Sequence, residues 1–300
     1  MKKPLKLGLK SYSNFVKSSL NKPKILVLVL CSRNYLSYVS SRAQKKIWNN
    51  APNTIEVVHY IGREDKSVRE KDYLSNFSKD YLIINTDDSY SNIAKKTLLA
   101  FENVLNNYSF DYLFRSNTSS YLNFKKLISF TEENLKDLQY CGVTLTAQEG
   151  DKIASGAGIF LSRKNIELLV KSKNNIDFSL PDDVAIARVL KKSNITPSES
   201  IRYDLKDVPK PKSVHFSSQF HYRCRLDPDY PRLLEPLLIK FLSRTDKINL
   251  FTYLNFFGLK FIFLLTKISL LNKIINKFYS YKFYDEFYLN KKLIFKGKNK

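Results

Sequence analysis

The chain has 300 residues, 43% of them hydrophobic, and a formal net charge of +22. This length and hydrophobic share are enough for a buried core, either in one large α/β domain with appendages or in two small domains. The charge sits mainly at the ends: residues 1–24 carry +7 and residues 235–300 carry +9, which leaves +6 for residues 25–234. The distribution favours an anionic membrane surface as a partner and argues against nucleic acid.

The N-terminal part predicts a basic lead-in followed by a buried first strand. Residues 1–24 form a basic lead-in rich in Lys and Ser. The following apolar run, Ile25–Leu30, is six residues long and has no small-residue cleavage site, so it predicts a buried strand and not a signal peptide. The three cysteines, Cys31, Cys141 and Cys224, have neither zinc-ligand nor disulfide spacing. They indicate a reducing compartment, which we expect to be the cytoplasm.

Helices and strands then alternate. A helix is predicted over residues 38–48, where Trp48 is expected to be a core anchor, and strands are predicted at Ile55–Gly62 and Tyr81–Ile84. This alternation predicts a mostly parallel, doubly wound sheet.

The most informative stretch runs from residue 87 to 123. It begins Asp-Asp-Ser-Tyr-Ser-Asn, continues as an amphipathic helix with apolar residues at a 3.6-residue period, and reaches a short strand at Tyr112–Phe114. Residues 115–123 predict a polar loop at the carboxyl end of that strand. Ligands bind at this end in open α/β sheets.

Later segments continue the pattern. Phe124–Leu138 predicts a helix and Tyr140–Leu145 a strand. Residues 155–162 read Ser-Gly-Ala-Gly-Ile-Phe-Leu-Ser, and such glycines allow a ligand to approach the backbone closely. A Pro-Asp-Asp sequence at residues 181–183 precedes another apolar segment, and residues 213–224 contain two histidines.

Residues 231–300 predict a basic, aromatic, helical extension. Fifteen of the chain's forty-one aromatic residues lie from Glu235 onward, interleaved with lysines. The apolar run 250–265 is shorter than the roughly 20 residues that a transmembrane helix needs. We therefore expect an interfacial helix at the inner face of a membrane. The alternative, helices packed on the preceding domain, stays open.

In this order, the segments between about residues 24 and 225 resemble the β-1,3-glycosyltransferases of the galactosyltransferase and Fringe type, glycosyltransferase family 31. The matching residues are Arg42, Ala43, Lys45 and Trp48, then Asp88, Ser89, Tyr90, Asn92, Lys96 and Thr97, then Arg115, Tyr121 and Asn123, then Gly156, Gly158, Asp182 and Asp183, and finally His221. The acidic triplet of the family is absent, and Asn117, Thr118 and Ser119 stand in its place.

The resemblance implies a GT-A-like (Rossmann-like) domain over residues 25–230. It also implies transfer of a hexose, with inversion, from a nucleotide-sugar such as a UDP-sugar to a glycan or lipid-linked saccharide, in surface polysaccharide synthesis. The implied nucleotide-sugar-binding residues are Arg42, Asp88, Lys96, Arg115, Asn117, Ser119, Gly156 and Gly158.

The same resemblance implies that Asp183, beside Asp182, accepts the proton of the acceptor hydroxyl. The alternative is that both acids only stabilise the start of a helix, where carboxylates are favoured.

The family's metal, here expected as Mn(II), is held by the acidic triplet and a late histidine, which His221 matches better than His215. The neutral oxygens of residues 117–119 are poor ligands for a hard divalent cation. Three outcomes stay open. In the first, a weak metal site retains His221. In the second, no metal is bound, and Arg115, Lys96 or Arg223 contacts the diphosphate. In the third, catalysis is lost and the protein is a silent relative that binds nucleotide-sugar or glycan.

Overall fold

A seven-stranded mixed sheet forms the centre of the structure, a computed structural model that describes residues 22–63, 80–135, 138–147, 150–205, 219–227 and 232–244. The strands of this sheet are β1 (Ile25–Leu30), β2 (Ile55–Arg63), β3 (Leu82–Asp87), β4 (Tyr112–Asn117), β6 (Tyr140–Thr146), β7 (Lys152–Ser162) and β8 (Ser198–Glu199). They lie in the order β3-β2-β1-β4-β7-β6-β8, and among the described strands of this sheet β7 alone runs antiparallel to its neighbours. His215, the lead-in through residue 21 and the apolar run 250–265 lie outside the described residues.

In the described part of the chain, six α-helices connect or follow these strands. They are α1 (Tyr35–Trp48), α2 (Ile93–Asn107), α3 (Phe124–Asn134), α4 (Arg163–Lys171), α5 (Asp182–Lys192) and α6 (Glu235–Leu242). Polar side chains fix where several of them begin: Asn34 accepts a hydrogen bond from the Ser37 amide at 2.8 Å, and Asn123 starts α3 in the same way. Such caps satisfy amides that have no partner within the helix.

Apolar layers cover both faces of the sheet. In β1, Leu26 and Leu28 pack into a cluster with α2, α4 and α5, whereas Ile25, Val27 and Val29 pack into a second cluster with Trp48 and α3. This two-sided burial explains why β1 is a continuous apolar run. The predicted α/β fold, a mostly parallel sheet flanked by helices, is confirmed.

A second sheet of three short strands lies beside the end of β4. It contains β5 (Ser120–Leu122), β9 (Tyr203–Asp204) and β10 (His221–Arg223), in the order β5-β10-β9. Helix α6 packs against it, and Leu238 and Ile239 of α6 are fully buried with Tyr222. The first helix of the predicted C-terminal extension therefore packs on the preceding domain.

One prediction about local structure was wrong. The expected polar loop is largely strand, because β4 continues through Arg115 to Asn117 and β5 begins at Ser120. The glycine segment, for which no element was predicted, lies inside β7, where Gly158 pairs with Ser116 of β4. In the part of the chain that the structure describes, no helix has the length and apolar character needed to cross a bilayer.

Candidate functional site

The parallel strands end at one edge of the sheet, and most of the predicted site residues gather there. Leu30 at the end of β1 pairs with Asn117 at the end of β4. Because β7 runs the opposite way, its early residues Gly156 and Gly158 lie at the same edge. The side chains at this edge form two buried ion pairs, one half-buried carboxylate and a group of arginines.

The first ion pair joins Arg115 of β4 to Asp182 at the start of α5. Their side chains are almost fully buried, and the guanidinium donates directly to Asp182 Oδ2. Thr97 of α2 donates to the same oxygen at 3.0 Å and lies 2.9 Å from the Tyr60 hydroxyl. Burial raises the pKa of the Asp182 carboxyl, and the Arg115 charge opposes that rise. Asp182 is thus occupied in holding Arg115 and the start of α5.

The second ion pair joins Asp88 and Lys96, which are also buried. Asp88 accepts hydrogen bonds from Lys96 Nζ at 2.6 Å, from the Arg33 amide at 2.6 Å and from the Gly62 amide at 2.9 Å. Lys96 also donates to the Cys31 carbonyl at 3.2 Å. These bonds tie the ends of β1 and β2 to α2, so both residues hold the strand edge together.

Asp183 is the carboxylate at this edge that stays half-buried. Its Oδ2 accepts the Gly156 amide at 2.9 Å, and its Oδ1 accepts the amide of Val184 at 3.0 Å. A Cβ atom at residue 156 would lie 3.0 Å from Asp183 Oδ2. The absence of a side chain at Gly156 therefore lets the β7 backbone fix the carboxylate.

The turn that replaces the acidic triplet is closed by its own hydrogen bonds. Asn117 Oδ1 accepts the Ser119 amide and the Ser120 hydroxyl, both at 3.1 Å. The buried side chain of Gln44 donates to the carbonyls of Asn117 and Ser120, at 3.0 and 2.7 Å. The sequence analysis did not identify Gln44. The available signal was that Gln44 is a polar residue at a core-facing position of α1.

His221 lies behind this turn. Its Nε2 is 3.2 Å from the Ser120 hydroxyl, and the ring is buried against Gly158 and Phe114. A Cβ atom at residue 158 would lie 2.3 Å from His221 Cε1. Gly158 therefore makes room for the imidazole. Burial, and then the charges of Arg202 and Arg223, lower the pKa of His221 well below its ordinary value.

These residues do not fit a divalent cation. The Asn117 amide oxygen already accepts two hydrogen bonds, and His221 Nε2 already contacts Ser120. Within the described ranges, no group of three or more His, Cys, Asp or Glu side chains is placed to hold a metal ion. Hard cations need several oxygen ligands, usually including carboxylates.

Two predicted residues lie apart from the carboxylates. Arg42 is exposed on α1, where it donates to the Tyr38 hydroxyl at 3.0 Å. Ser119 is buried in the turn, with its hydroxyl 3.4 Å from Arg232.

An arginine face, consisting of Arg202, Arg223 and Arg225, borders the turn. Residues 221–226 alternate: Tyr222, Cys224 and Leu226 pack into the apolar cluster under α6, whereas His221, Arg223 and Arg225 occupy the other side of the chain. Arg202 donates to Asp204 and, at 3.0 Å, to the Ser155 hydroxyl next to Gly156. Of these three, sequence reasoning named only Arg223, although the alternation His-x-Arg-x-Arg was visible.

No protein-family model matches the sequence, and no curated protein matches it either. Among solved structures, the chain is similar to the galactosyltransferase LgtC in complex with donor and acceptor sugar analogs, at 10% identity and a TM-score of 0.39, covering 77% of this chain and 99% of that one. It is also similar to a glycosyltransferase involved in glycosylation of the major capsid of PBCV-1, at 9% identity and a TM-score of 0.43, covering 73% and 99%. Both TM-scores lie below 0.5, so neither likeness establishes an activity or a substrate for this chain.

Proposed function

We propose that the protein is a GT-A-like glycosyltransferase related to the galactosyltransferase and Fringe type. It would transfer a hexose from a nucleotide-sugar, such as a UDP-sugar, to a glycan or lipid-linked saccharide during surface polysaccharide synthesis. The observation that carries the proposal is the Asp183 carboxylate, fixed by the Gly156 amide and half-buried at the ligand-binding edge of the sheet. The order of the family motifs along the chain supports the same conclusion.

The chemistry follows from this position. Asp183 accepts the proton of the acceptor hydroxyl while that oxygen forms a bond to the anomeric carbon of the donor. The bond from this carbon to the diphosphate oxygen breaks, and its electron pair leaves with the nucleoside diphosphate. Attack on the face opposite the leaving group inverts the configuration at the anomeric carbon.

A panel of nucleotide-sugars, assayed for transfer and for hydrolysis, tests this proposal. We expect Asp183→Asn to lower the rate about 100-fold or more, because general-base catalysis contributes about 10²- to 10⁴-fold. Asp177→Asn is the matched control, since Asp177 is exposed and contacts Ser179 of its own turn. Equal rates in the wild type and Asp183→Asn would exclude Asp183 as the base.

The turn at residues 117–119 favours one alternative function. Because it contains no carboxylate, the protein could be a catalytically silent relative that binds nucleotide-sugar or glycan. Binding of a nucleotide-sugar without any transfer or hydrolysis would support this alternative against the enzyme.

We also propose that the basic ends bring the protein to the inner face of a membrane. The charges of +7 and +9 in residues 1–24 and 235–300 support this association with anionic lipid. The full-length protein should float with vesicles that contain phosphatidylserine and not with neutral vesicles. Flotation with both kinds of vesicle would contradict an electrostatic role for the ends.

A further inference from the structure

The proposed transfer leaves negative charge on a nucleoside diphosphate, and this charge needs a cationic partner. The described donors at residues 117–119 and 221 do not fit a divalent metal, as shown above. If the proposed function is correct, we expect a positively charged side chain at the strand edge to stabilise the negative charge of the diphosphate.

Two of the candidate cations are already engaged. Lys96 is buried against Asp88 and the Cys31 carbonyl. Arg115 is buried against Asp182. To contact a phosphate, either cation would have to leave a buried carboxylate without its partner, which is strongly unfavourable.

Arg223 is in a different situation. The nearest carboxylate, Asp204, is bound by both nitrogens of the Arg202 fork at 2.5 and 3.0 Å, whereas its distance to Arg223 Nη1 is 3.7 Å. The Nε atoms of Arg223 and Arg115 are both buried without a hydrogen-bond partner among the described residues, so the two arginines differ in their carboxylate and not at Nε. Two guanidinium groups thus share one carboxylate, and the surplus positive charge lies with Arg223.

The position of Arg223 is suitable for the leaving group. It pairs with Ser120, directly after the turn that replaces the acidic triplet, and it lies on the same side of β10 as His221. Arg225, the next residue on that side, interacts electrostatically with Tyr90, which also interacts with Asp182 and Asp183. Tyr90 thus lies within the electrostatic influence of both Arg225 and the proposed base.

We propose that Arg223, with Arg225, binds the diphosphate of the sugar-nucleotide and stabilises its departure in place of a divalent cation. When the bond between the anomeric carbon and the diphosphate oxygen breaks, the guanidinium groups donate hydrogen bonds to the phosphate oxygens that receive the electron pair. The planar guanidinium provides two parallel donors for such an anion.

UDP binding to the full-length protein, measured by calorimetry after treatment with EDTA, tests this inference. We expect Arg223→Gln to weaken binding about 10- to 100-fold, as for the loss of charge-assisted hydrogen bonds. Arg223→Lys should be intermediate, because lysine keeps the charge and loses the fork. Arg244→Gln is the matched control, since Arg244 is exposed beyond α6, and it should bind UDP like the wild type.

The outcomes separate the inference from the proposed function. Wild-type affinity in both Arg223 variants would overturn the inference and leave the glycosyltransferase proposal standing. UDP binding that requires added Mn(II) would overturn it as well. If the wild type binds no nucleoside diphosphate from a panel of UDP, GDP and ADP, with or without Mn(II), the proposed function and this inference both fail.

Discussion

The strand edge contains two regions of charged side chains, which differ in how their charges are used. In the first, which we call the paired edge, Asp88 is matched with Lys96 and Arg115 with Asp182, and all four side chains are buried. In the second, the arginine face, Arg202 and Arg223 share Asp204, and the Arg223 side chain is 21% exposed.

The difference shows which charges are available for a ligand. A buried ion pair is satisfied internally, and removing either partner leaves an uncompensated charge. A partly exposed cation without a full set of acceptors can bind an anion at little cost to the fold. We therefore propose that the paired edge maintains the shape of the site and that the arginine face, together with Asp183, supplies its chemistry.

The largest expected effect on stability is at the paired edge. Arg115→Met should lower the free energy of unfolding by about 3–5 kcal/mol, because Asp182 would stay buried without its cation. Urea denaturation measures this loss. The double variant Arg115→Met/Asp182→Leu is the control, and it should recover most of the stability because no charge is left buried. A double variant as unstable as the single one would contradict the assignment.

The next effect is the response to acid of the two buried histidines. Burial lowers the pKa of His59 to about 3, and burial with the neighbouring arginines lowers that of His221 well below 6.5. Below pH 6.5 the unfolded chain therefore binds protons that the folded chain does not. Each histidine should cost up to about 1.4 kcal/mol of stability per pH unit as the pH falls.

Urea denaturation at several pH values between about 7 and 5 measures this slope. His59→Gln should reduce the contribution of these two histidines to the slope to roughly half, since that of His221 remains. An unchanged slope in His59→Gln would show that His59 is protonated in the folded protein.

A smaller loss of stability is expected behind the turn. Gly158→Ala would place a Cβ atom 2.3 Å from His221 Cε1 and 2.9 Å from Phe114 Cζ, which are both buried. Such overpacking typically costs about 1–3 kcal/mol. Gly156→Ala is the comparison, because its Cβ would meet the Asp183 carboxylate at 3.0 Å. We expect that variant to lose transfer activity more than stability, and equal stability losses would contradict the distinction.

The periodicity of apolar residues predicted the strands of the sheet well, but it predicted their first and last residues less well. The apolar run Ile25–Leu30 is β1 with the same limits, since both of its faces are buried. Other limits moved by a few residues, and Arg115 was assigned to a loop although β4 continues through it. Arg115 and Asn117 lie in the strand because Asp182 binds the Arg115 guanidinium and Gln44 binds the Asn117 carbonyl, and these two partners are distant in sequence.

The same reason limited the prediction of the site. Motif order correctly brought Asp183 and Gly156 to one edge, where they share a hydrogen bond. It gave no means to decide which charges are neutralised, because Arg115 and Asp182 are 67 positions apart. The distinction between paired and surplus charge depends on tertiary contacts, and only the structure contains it.

The smallest expected effect is also the one that tests the comparison most directly. Arg223→Gln should change the free energy of unfolding by no more than about 0.5 kcal/mol, in contrast to Arg115→Met. Removing Arg223 takes away a buried Nε that has no partner among the described residues, and a positive charge beside Arg225 and Arg202. Burial, and then the charges of these two arginines, lower the pKa of Arg223 to about 10.

Without Arg223, the repulsion between its charge and those of Arg202 and Arg225 is removed, which stabilises the fold. We expect this gain to offset the loss of the long contact between Arg223 and Asp204. Urea denaturation of Arg223→Gln beside the wild type measures the balance, with Arg244→Gln as the control for loss of one positive charge from the whole chain. A destabilisation as large as that of Arg115→Met would place Arg223 in the paired edge. If the charge of Arg223 serves a ligand, we expect Arg223→Gln to leave the free energy of unfolding unchanged and to weaken UDP binding. Residues that serve binding are often not those that stabilise the fold.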